Sequence, residues 1–93
     1  MPENLIDRKS LPRGEELRVA LEPYRGRHYL SVRRWWLDGT ELKPGKGVNM
    51  HVADLPWLLR ALRLAEQAAI EKGLLDLCDY EVIGAAIPPE LGR

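Results

Sequence analysis

Basic and aromatic side chains are concentrated in one stretch of the chain, residues 24–50. The residues concerned are Arg25, Arg27, Arg33, Arg34, Lys43, Lys46, Tyr24, Tyr29, Trp35 and Trp36. Cationic side chains attract phosphate groups, and aromatic rings offer flat faces on which unpaired bases stack. This combination predicts a surface for single-stranded nucleic acid. The alternative interpretation is an ordinary half-buried sheet, with its aromatic residues in the core and its charged residues in solvent.

The net charge of zero hides a separation of charge along the chain. Residues 8–46 carry ten Lys or Arg against five Asp or Glu, a net charge of +5. Residues 47–93 carry four against seven, a net charge of −3, and residues 1–7 add −2. An asymmetry of this kind indicates that the basic half faces a polyanion.

The sequence contains no pattern typical of an enzyme or a metal site. His28 and His51 have no cysteine or carboxylate at ligand spacing, and we expect them to be surface or interface residues. Ser10, Ser31 and Cys78 lack a recognisable base and orienting group, so a nucleophilic triad is not supported. We therefore expect no enzymatic activity, no cofactor and no metal.

The length and composition are typical of one small soluble domain. The chain has 93 residues, with 45% apolar and 30% charged side chains. No apolar run approaches the roughly 20 residues of a membrane span, and the N-terminal residues lack the apolar core of a secretory signal. Cys78 is the single cysteine, which favours a reducing cytoplasm. We expect a cytoplasmic protein, associated with the nucleoid if it is bacterial.

Alternation of apolar and polar residues predicts four antiparallel strands that carry the basic and aromatic side chains. The predicted strands are residues 17–24, 28–37, 40–43 and 48–52. The segments RGR, LDGTE and KPGKG supply the predicted turns. Residues 1–16, interrupted by prolines and a glycine, are expected to form a flexible basic arm.

Trp35 and Trp36 are adjacent, and strict alternation places them on opposite faces of their strand. Tyr24, Tyr29 and Arg33 are expected on the exposed face, with Trp35. Trp36 would join them only if the strand bulges or bends at this point. The sequence therefore leaves open which of the two tryptophans stacks on a base.

A helix is predicted from Asp54 to about Lys72, with Gly73 as its end. Its apolar arc is wider than one small sheet needs. We expect one of its two apolar stripes to meet a second copy of the chain; that stripe comprises Trp57, Ala61, Leu64 and Ala68. The alternative is that the chain's own C-terminal segment covers the helix.

Residues 73–93 are predicted to be a C-terminal extension of the domain formed by residues 17–72. The segment LLDLCDY is compatible with helix or loop, and EVIGAAI with a short strand. The last six residues, PPELGR, are expected to be a frayed tail.

Three segments together resemble the positive cofactor four family of transcriptional coactivators. They are YRGR at residues 24–27, VRRWWLD at residues 32–38, and LKPGKGV at residues 42–48. The resemblance covers about residues 17–72. The spacing between the tryptophan-containing strand end and the KPGKG segment is its most specific part.

This resemblance implies an α+β fold, a four-stranded curved antiparallel sheet followed by one C-terminal helix that forms a homodimer. It implies binding of single-stranded DNA with little sequence specificity, in transcription, replication or repair. By position, Tyr24 and Trp36 correspond to stacking aromatic residues. The corresponding basic positions are Arg25, Arg27, Arg33, Lys43 and Lys46.

Two alternatives remain open at the level of the sequence. The first is RNA as the ligand, because stacking and phosphate contacts discriminate poorly between DNA and RNA. The second is a protein-interaction module that uses the same dimeric fold to bind the transcription machinery. The acidic C-terminal half of the chain motivates the second alternative.

Overall fold

The computed structural model describes residues 4–91 and divides the chain into two compact units, each described here by itself. The first unit runs to Leu55 and contains the strands; the second begins at Pro56 and contains the helices. The strands are β1 (Leu5–Ser10), β2 (Glu16–Tyr24), β3 (Arg27–Asp38) and β4 (Glu41–His51). The helices are α1 (Leu55–Glu71) and α2 (Leu77–Ile83).

The four strands form one antiparallel sheet in the order β1-β2-β3-β4. A helix follows the last strand, so the predicted α+β class, with four antiparallel strands and a C-terminal helix, is confirmed. The second, shorter helix was not predicted as such. Among the described residues, no helix is long and apolar enough to cross a bilayer.

The first strand corrects the prediction of a flexible arm over residues 1–16. Residues 5–10 pair with β2, with Leu5 opposite Ala20 and Ser10 opposite Glu16. The sequence shows no alternation here because five of the six residues of this edge strand are exposed and three are charged. Charged residues are common on sheet edges, where they discourage pairing with other chains. Residues 1–3 of the predicted arm lie outside the described residues.

The last strand corrects a second prediction, because residues 40–43 and 48–52 are not separate strands. A single strand, β4, runs through the KPGKG segment that was predicted to be a turn. Pro44 is tolerated because β4 is an edge strand, where a missing N–H need not break a ladder. A bulge accommodates the extra residue: Arg33 lies opposite Gly47, whereas Trp35 lies opposite Pro44.

Gly47 is required at this bulge because β3 passes very close to it. A Cβ atom at this position would lie 2.5 Å from the carbonyl oxygen of Val32 and 2.8 Å from the Cα of Arg33. Any larger residue would force the two strands apart. A glycine that looks like a turn signal in the sequence is therefore a close-packing residue within a strand.

The two other predicted turns are confirmed. Arg25 and Gly26 connect β2 to β3, and both have positive φ angles, 51° and 77°. That combination defines the hairpin turn whose twist matches the twist of the flanking strands. Gly39, also at positive φ, lies in the turn between β3 and β4.

In the helical unit, α1 ends close to where the sequence predicted. Gly73 has a φ of 72°, and the amide of Leu74 donates to the carbonyl of Ala69. α2 follows after a short loop. A capping box fixes its first turn. The side chain of Asp76 accepts from the backbone amide of Cys78, and the side chain of Asp79 accepts from the backbone amide of Asp76.

The cap explains why the prediction of a short strand in EVIGAAI is wrong. Residues 81–83 complete α2, and Gly84 in the left-handed conformation ends it. Local capping therefore decides a segment whose apolar pattern alone fits a strand.

A polar cluster fastens the C-terminal segment to α1. The hydroxyl of Tyr80 donates to Glu66 at 2.5 Å, and Arg63 donates to both Glu66 and Glu90. The amide of Gln67 donates to Glu90 at 2.9 Å. The hydrogen bond to Glu66, followed by burial, raises the pKa of Tyr80 to about 12. The hydrogen bond from Tyr80, followed by that from Arg63, lowers the pKa of Glu66.

Candidate nucleic-acid interface

One face of the sheet gathers aromatic and basic residues from β2, β3 and β4. The register pairs Tyr24 with Arg27, Arg18 with Arg33, and Tyr29 with His51. Directly paired residues project to the same side of a sheet, as do residues two apart on one strand. We call this side the groove face; it carries Arg18, Ala20, Glu22, Tyr24, Arg27, Tyr29, Ser31, Arg33, Trp35, Asn49 and His51.

At the hairpin end of the groove face, three aromatic rings form a row across the strands. Tyr29 packs edge-on against Tyr24 with ring centroids 6.3 Å apart, and His51 lies 4.7 Å from Tyr29. Tyr24 is 58% exposed, and the guanidinium carbon of Arg25 lies 5.2 Å from its ring centroid. The row presents an exposed ring beside two cations, Arg25 and Arg27.

At the other end of the groove face, Arg18 stacks on Trp35. Its guanidinium carbon lies 4.2 Å from the centroid of the Trp35 ring system, and its Nε donates to Glu16 at 2.9 Å. This stack borders a hollow of about 500 Å³ that residues from all four strands help to line. The lining residues are Asn4, Leu5, Arg18, Ala20, Glu22, Ser31, Arg33, Trp35, Pro44 and Gly45.

Arg33 connects the hollow to the bulge of β4. One of its terminal nitrogens donates to the carbonyl of Gly45 at 2.8 Å, and the other to the side-chain oxygen of Asn49 at 3.1 Å. These two bonds fix the position of the guanidinium on the groove face. A guanidinium has five N–H donors, so several remain for a ligand.

The opposite face carries Trp36, which is 42% exposed. Trp36 lines a separate hollow of about 350 Å³ together with Glu15, Arg34, Gly45 and Lys46. Alternation along β3 therefore places Trp35 and Trp36 on different faces. The bulge does not bring them together because the extra residue lies in β4, not in β3.

Two of the cations on this opposite face are already paired with acids. Arg34 bonds to Glu15 at 2.6 Å, and Lys43 bonds to Asp38 at 2.8 Å. Lys46, in contrast, forms no ion pair within residues 4–91, and the same holds for Arg25 and Arg27 on the other side.

The predicted binding residues thus fall into two groups. Tyr24, Arg25, Arg27 and Arg33 lie together on the groove face or at its hairpin. Trp36, Lys43 and Lys46 lie together on the opposite face. Gly45 lines both hollows, so the two groups approach each other at the bulge.

The sequence placed Tyr29 on the exposed face without giving it a binding role, and the two-residue turn after Tyr24 does bring both tyrosines to the same side. Arg18 was a weaker candidate for a phosphate contact, and it too lies on the groove face. His51 was predicted to be a surface or interface histidine, and its stacking on Tyr29 depends on a continuous β4 that was not predicted.

The residues predicted to form a dimer interface lie on one side of α1, at positions 57, 61, 64 and 68. Trp57 and Leu64 are 58% and 57% exposed. The C-terminal segment reaches the polar side of the helix, through Arg63, Glu66 and Gln67, and leaves this stripe open. The C-terminal segment therefore contacts the polar side of α1, and not the apolar stripe that the alternative prediction assigned to it.

Within residues 4–91, no group of three or more His, Cys, Asp or Glu side chains could hold a metal ion.

Comparison with curated proteins and with solved structures gave no significant match. Residues 11–61, more than half of the chain, match the family model described as Transcriptional Coactivator p15 (PC4). The matched segment contains all the strands from β2 to β4 and the start of α1. This match confirms the resemblance, and the chain belongs to the transcriptional coactivator p15 (PC4) family, a family of DNA-binding coactivators.

Proposed function

We propose that this chain is a homodimeric, non-enzymatic protein that binds single-stranded DNA with little sequence specificity. It would act in the cytoplasm, in transcription, replication or repair. The main evidence for the proposal is the exposed aromatic row at Tyr24, flanked by Arg25 and Arg27, which form no ion pair within residues 4–91. Family membership supports it, because the family is one of DNA-binding coactivators.

Preference for single strands follows from the aromatic row. Bases in a duplex are stacked on each other and cannot reach a ring such as Tyr24, whereas unpaired bases can. Each base stacked on an aromatic side chain contributes about 1–3 kcal/mol, with little dependence on base identity. Guanidinium groups next to the ring supply the phosphate contacts that a polyanion needs.

The second group of predicted residues lies within reach of the same strand if the DNA crosses the exposed edge of the sheet. β4 is an edge strand, and its bulge at Gly45 borders the hollows of both faces. In this proposal, the single-stranded DNA passes over the bulge of β4, and Trp36 stacks on a base at the opposite face of the sheet. Lys46 and Lys43 would contact phosphates there, Lys43 after release from Asp38.

The homodimer would form through the open stripe of α1. Burying Trp57 and Leu64 against a second copy removes a large apolar area from water. A chain of 93 residues has a modest core, so the added burial would also stabilise it. Sedimentation of a Leu64→Glu variant tests this part: the expected result is a monomer, and an unchanged dimer contradicts the proposed interface.

Fluorescence anisotropy with a labelled oligonucleotide of about 20 bases tests the DNA-binding proposal. We expect single strands to bind more tightly than a duplex of the same sequence, at constant salt. If five phosphates are contacted, the log–log salt dependence should have a slope of about −3.5. Equal or tighter binding of the duplex would overturn the proposal, and an RNA strand of the same sequence separates DNA from RNA preference.

Binding to a protein of the transcription machinery is a second candidate function. It is supported by the apolar residues that the C-terminal segment leaves in solvent, among them Leu74, Val82 and Ile83. The test is capture of a partner that resists nuclease treatment and is lost on deletion of residues 74–93. Capture that disappears with nuclease would instead indicate that nucleic acid bridges the two proteins.

A further inference from the structure

The hollow on the groove face owes its depth to two small residues. Ala20 and Ser31 pair across β2 and β3, and Ser31 is only 4% exposed. On one side of this pair lie Arg18 and Arg33, and on the other side lie Glu22 and Tyr29. Because the side chains of Ala20 and Ser31 are small and those of the two flanking pairs are long, the sheet surface has a depression at this point. The Cα atoms of Arg18 and Glu22 are roughly 13 Å apart along an extended strand.

One wall of the hollow is a stacking surface. The guanidinium carbon of Arg18 lies 4.2 Å from the centroid of the Trp35 ring system, and both side chains line the hollow. Guanidinium planes, like aromatic rings, stack on bases. Its bond to Glu16 fixes the orientation of the guanidinium.

The other wall carries a carboxylate that has no partner in residues 4–91. Glu22 is exposed, lines the hollow, and forms neither an ion pair nor a side-chain hydrogen bond there. A carboxylate on a surface that faces phosphates repels the ligand unless it accepts a hydrogen bond from it. The donors on a base that suit a carboxylate are exocyclic amino groups, such as N4 of cytosine.

We propose that this hollow is a subsite for one base, which stacks on the Arg18–Trp35 pair and donates its exocyclic amino group to Glu22. The subsite rests on the proposed binding of single-stranded DNA and adds a base preference to it. Cytosine and adenine, which carry exocyclic amino groups, would be favoured. Thymine and uracil present a carbonyl oxygen at the corresponding place and would be repelled by the carboxylate.

The test compares oligo(dC) with oligo(dU) of about 20 bases, because the two pyrimidines differ at the group that Glu22 would read. Fluorescence anisotropy at constant salt should show oligo(dC) bound roughly fivefold more tightly, the lower end expected for base discrimination. In Glu22→Leu, the affinity for oligo(dU) should rise and the preference should fall towards one. Trp35→Ala should weaken both oligonucleotides, by roughly tenfold.

Glu41→Leu is the matched control, since Glu41 is an exposed acid at the β3–β4 hairpin, where it lies opposite Asp38 in the strand register. Its loss removes the same charge and should change both affinities equally. Equal binding of the two oligonucleotides by the unsubstituted protein, or a preference that survives in Glu22→Leu, would overturn the subsite alone. Failure of both oligonucleotides to bind would overturn the proposed function and the subsite together.

Discussion

The β2–β3 hairpin and the opposite face of the sheet differ in how most of their cations are paired. On the groove face, the hairpin cations Arg25 and Arg27 have no acidic partner in the described chain and flank an exposed tyrosine. On the opposite face, Arg34 and Lys43 are neutralised by Glu15 and Asp38. A count of basic residues treats these cations as equal, whereas the structure separates them into free and paired.

Trp35 and Trp36 show the same contrast between neighbours in the sequence. Trp35 is partly covered by Arg18 and belongs to a hollow bordered by two guanidiniums. Trp36 is more open and belongs to a smaller hollow next to Lys46. The difference of one residue changes the face because side chains alternate along a strand. The register of the strands, rather than the density of aromatic residues, therefore determines which side chains lie together on one face.

The largest effect is expected from a substitution that damages both faces at once. Gly47→Ala places a Cβ against the backbone of β3, so the strands must separate at the bulge. We expect a loss of about 1–3 kcal/mol in the free energy of unfolding, as for other overpacked sites. Thermal unfolding should show a Tm lower by roughly 4–8 °C per kcal/mol. The neighbouring Lys46→Ala serves as the control, and an unchanged Tm for Gly47→Ala would contradict the close packing.

An effect confined to one face of the sheet is expected at the aromatic row. Tyr24→Ala removes an exposed ring of the groove face and should weaken binding of single-stranded DNA by about 1–3 kcal/mol. That corresponds to roughly 5- to 150-fold in Kd by anisotropy. Tyr24→Phe keeps the ring and should bind almost as well as the unsubstituted protein. If the phenylalanine variant loses as much as the alanine variant, the contribution comes from the hydroxyl and not from stacking.

A third prediction compares two lysines on the opposite face. Lys46 forms no ion pair in the described part of the chain, whereas Lys43 must leave Asp38 before it can contact a phosphate. Lys46→Ala should therefore reduce the salt slope by about 0.7, the value for one phosphate on a single strand. Lys43→Ala should reduce it less. Equal reductions would show that the ion pair with Asp38 does not restrain Lys43 in solution.

The smallest effect on DNA binding is expected from the helical unit. Tyr80→Phe removes the hydrogen bond to Glu66 and should loosen residues 74–91. It should not change the affinity of either face of the sheet for single-stranded DNA. Amide hydrogen exchange in this segment measures the loosening. A large loss of DNA affinity in this variant would show that the C-terminal segment takes part in binding.

The same cluster predicts a dependence of local stability on pH. The pKa of Tyr80 is raised to about 12 in the folded chain, so its stabilising contribution is complete below pH 10 and is lost as the pH rises towards 12. The pKa of Glu66 is lowered, so its contribution is present above pH 4.5 and is lost as the pH falls below that value. The carbon chemical shifts of residues 74–91, followed by NMR across both pH ranges, should move towards random-coil values at each extreme.

The sequence was sufficient where local signals agreed with each other. Alternation and the turn at Arg25-Gly26 gave β2, β3 and the side on which Tyr24 and Arg33 lie. The helix end at Gly73 followed from the left-handed conformation that glycine adopts readily. The family resemblance followed from three segments whose spacing is unusual, and the family match bears it out.

The sequence was insufficient where tertiary pairing decided the outcome. β1 is recognisable only through its partner β2, because half of its own residues are charged and all but Leu5 are exposed. Pro44, Gly45 and Gly47 have the composition of a turn, and only the approach of β3 shows why they continue a strand. The pairing of Lys43 with Asp38, and of Arg34 with Glu15, also depends on register and could not be inferred from charge.

The most direct test of the binding surface is amide chemical-shift mapping of the protein on addition of a 20-base single strand. We expect the largest shifts at the β2–β3 hairpin around Tyr24 and Arg27, and at the bulge around Gly45 and Gly47. Residues of α2 should shift little. Dominant shifts in the helical unit, with an unperturbed hairpin and bulge, would contradict the proposal that the sheet binds DNA.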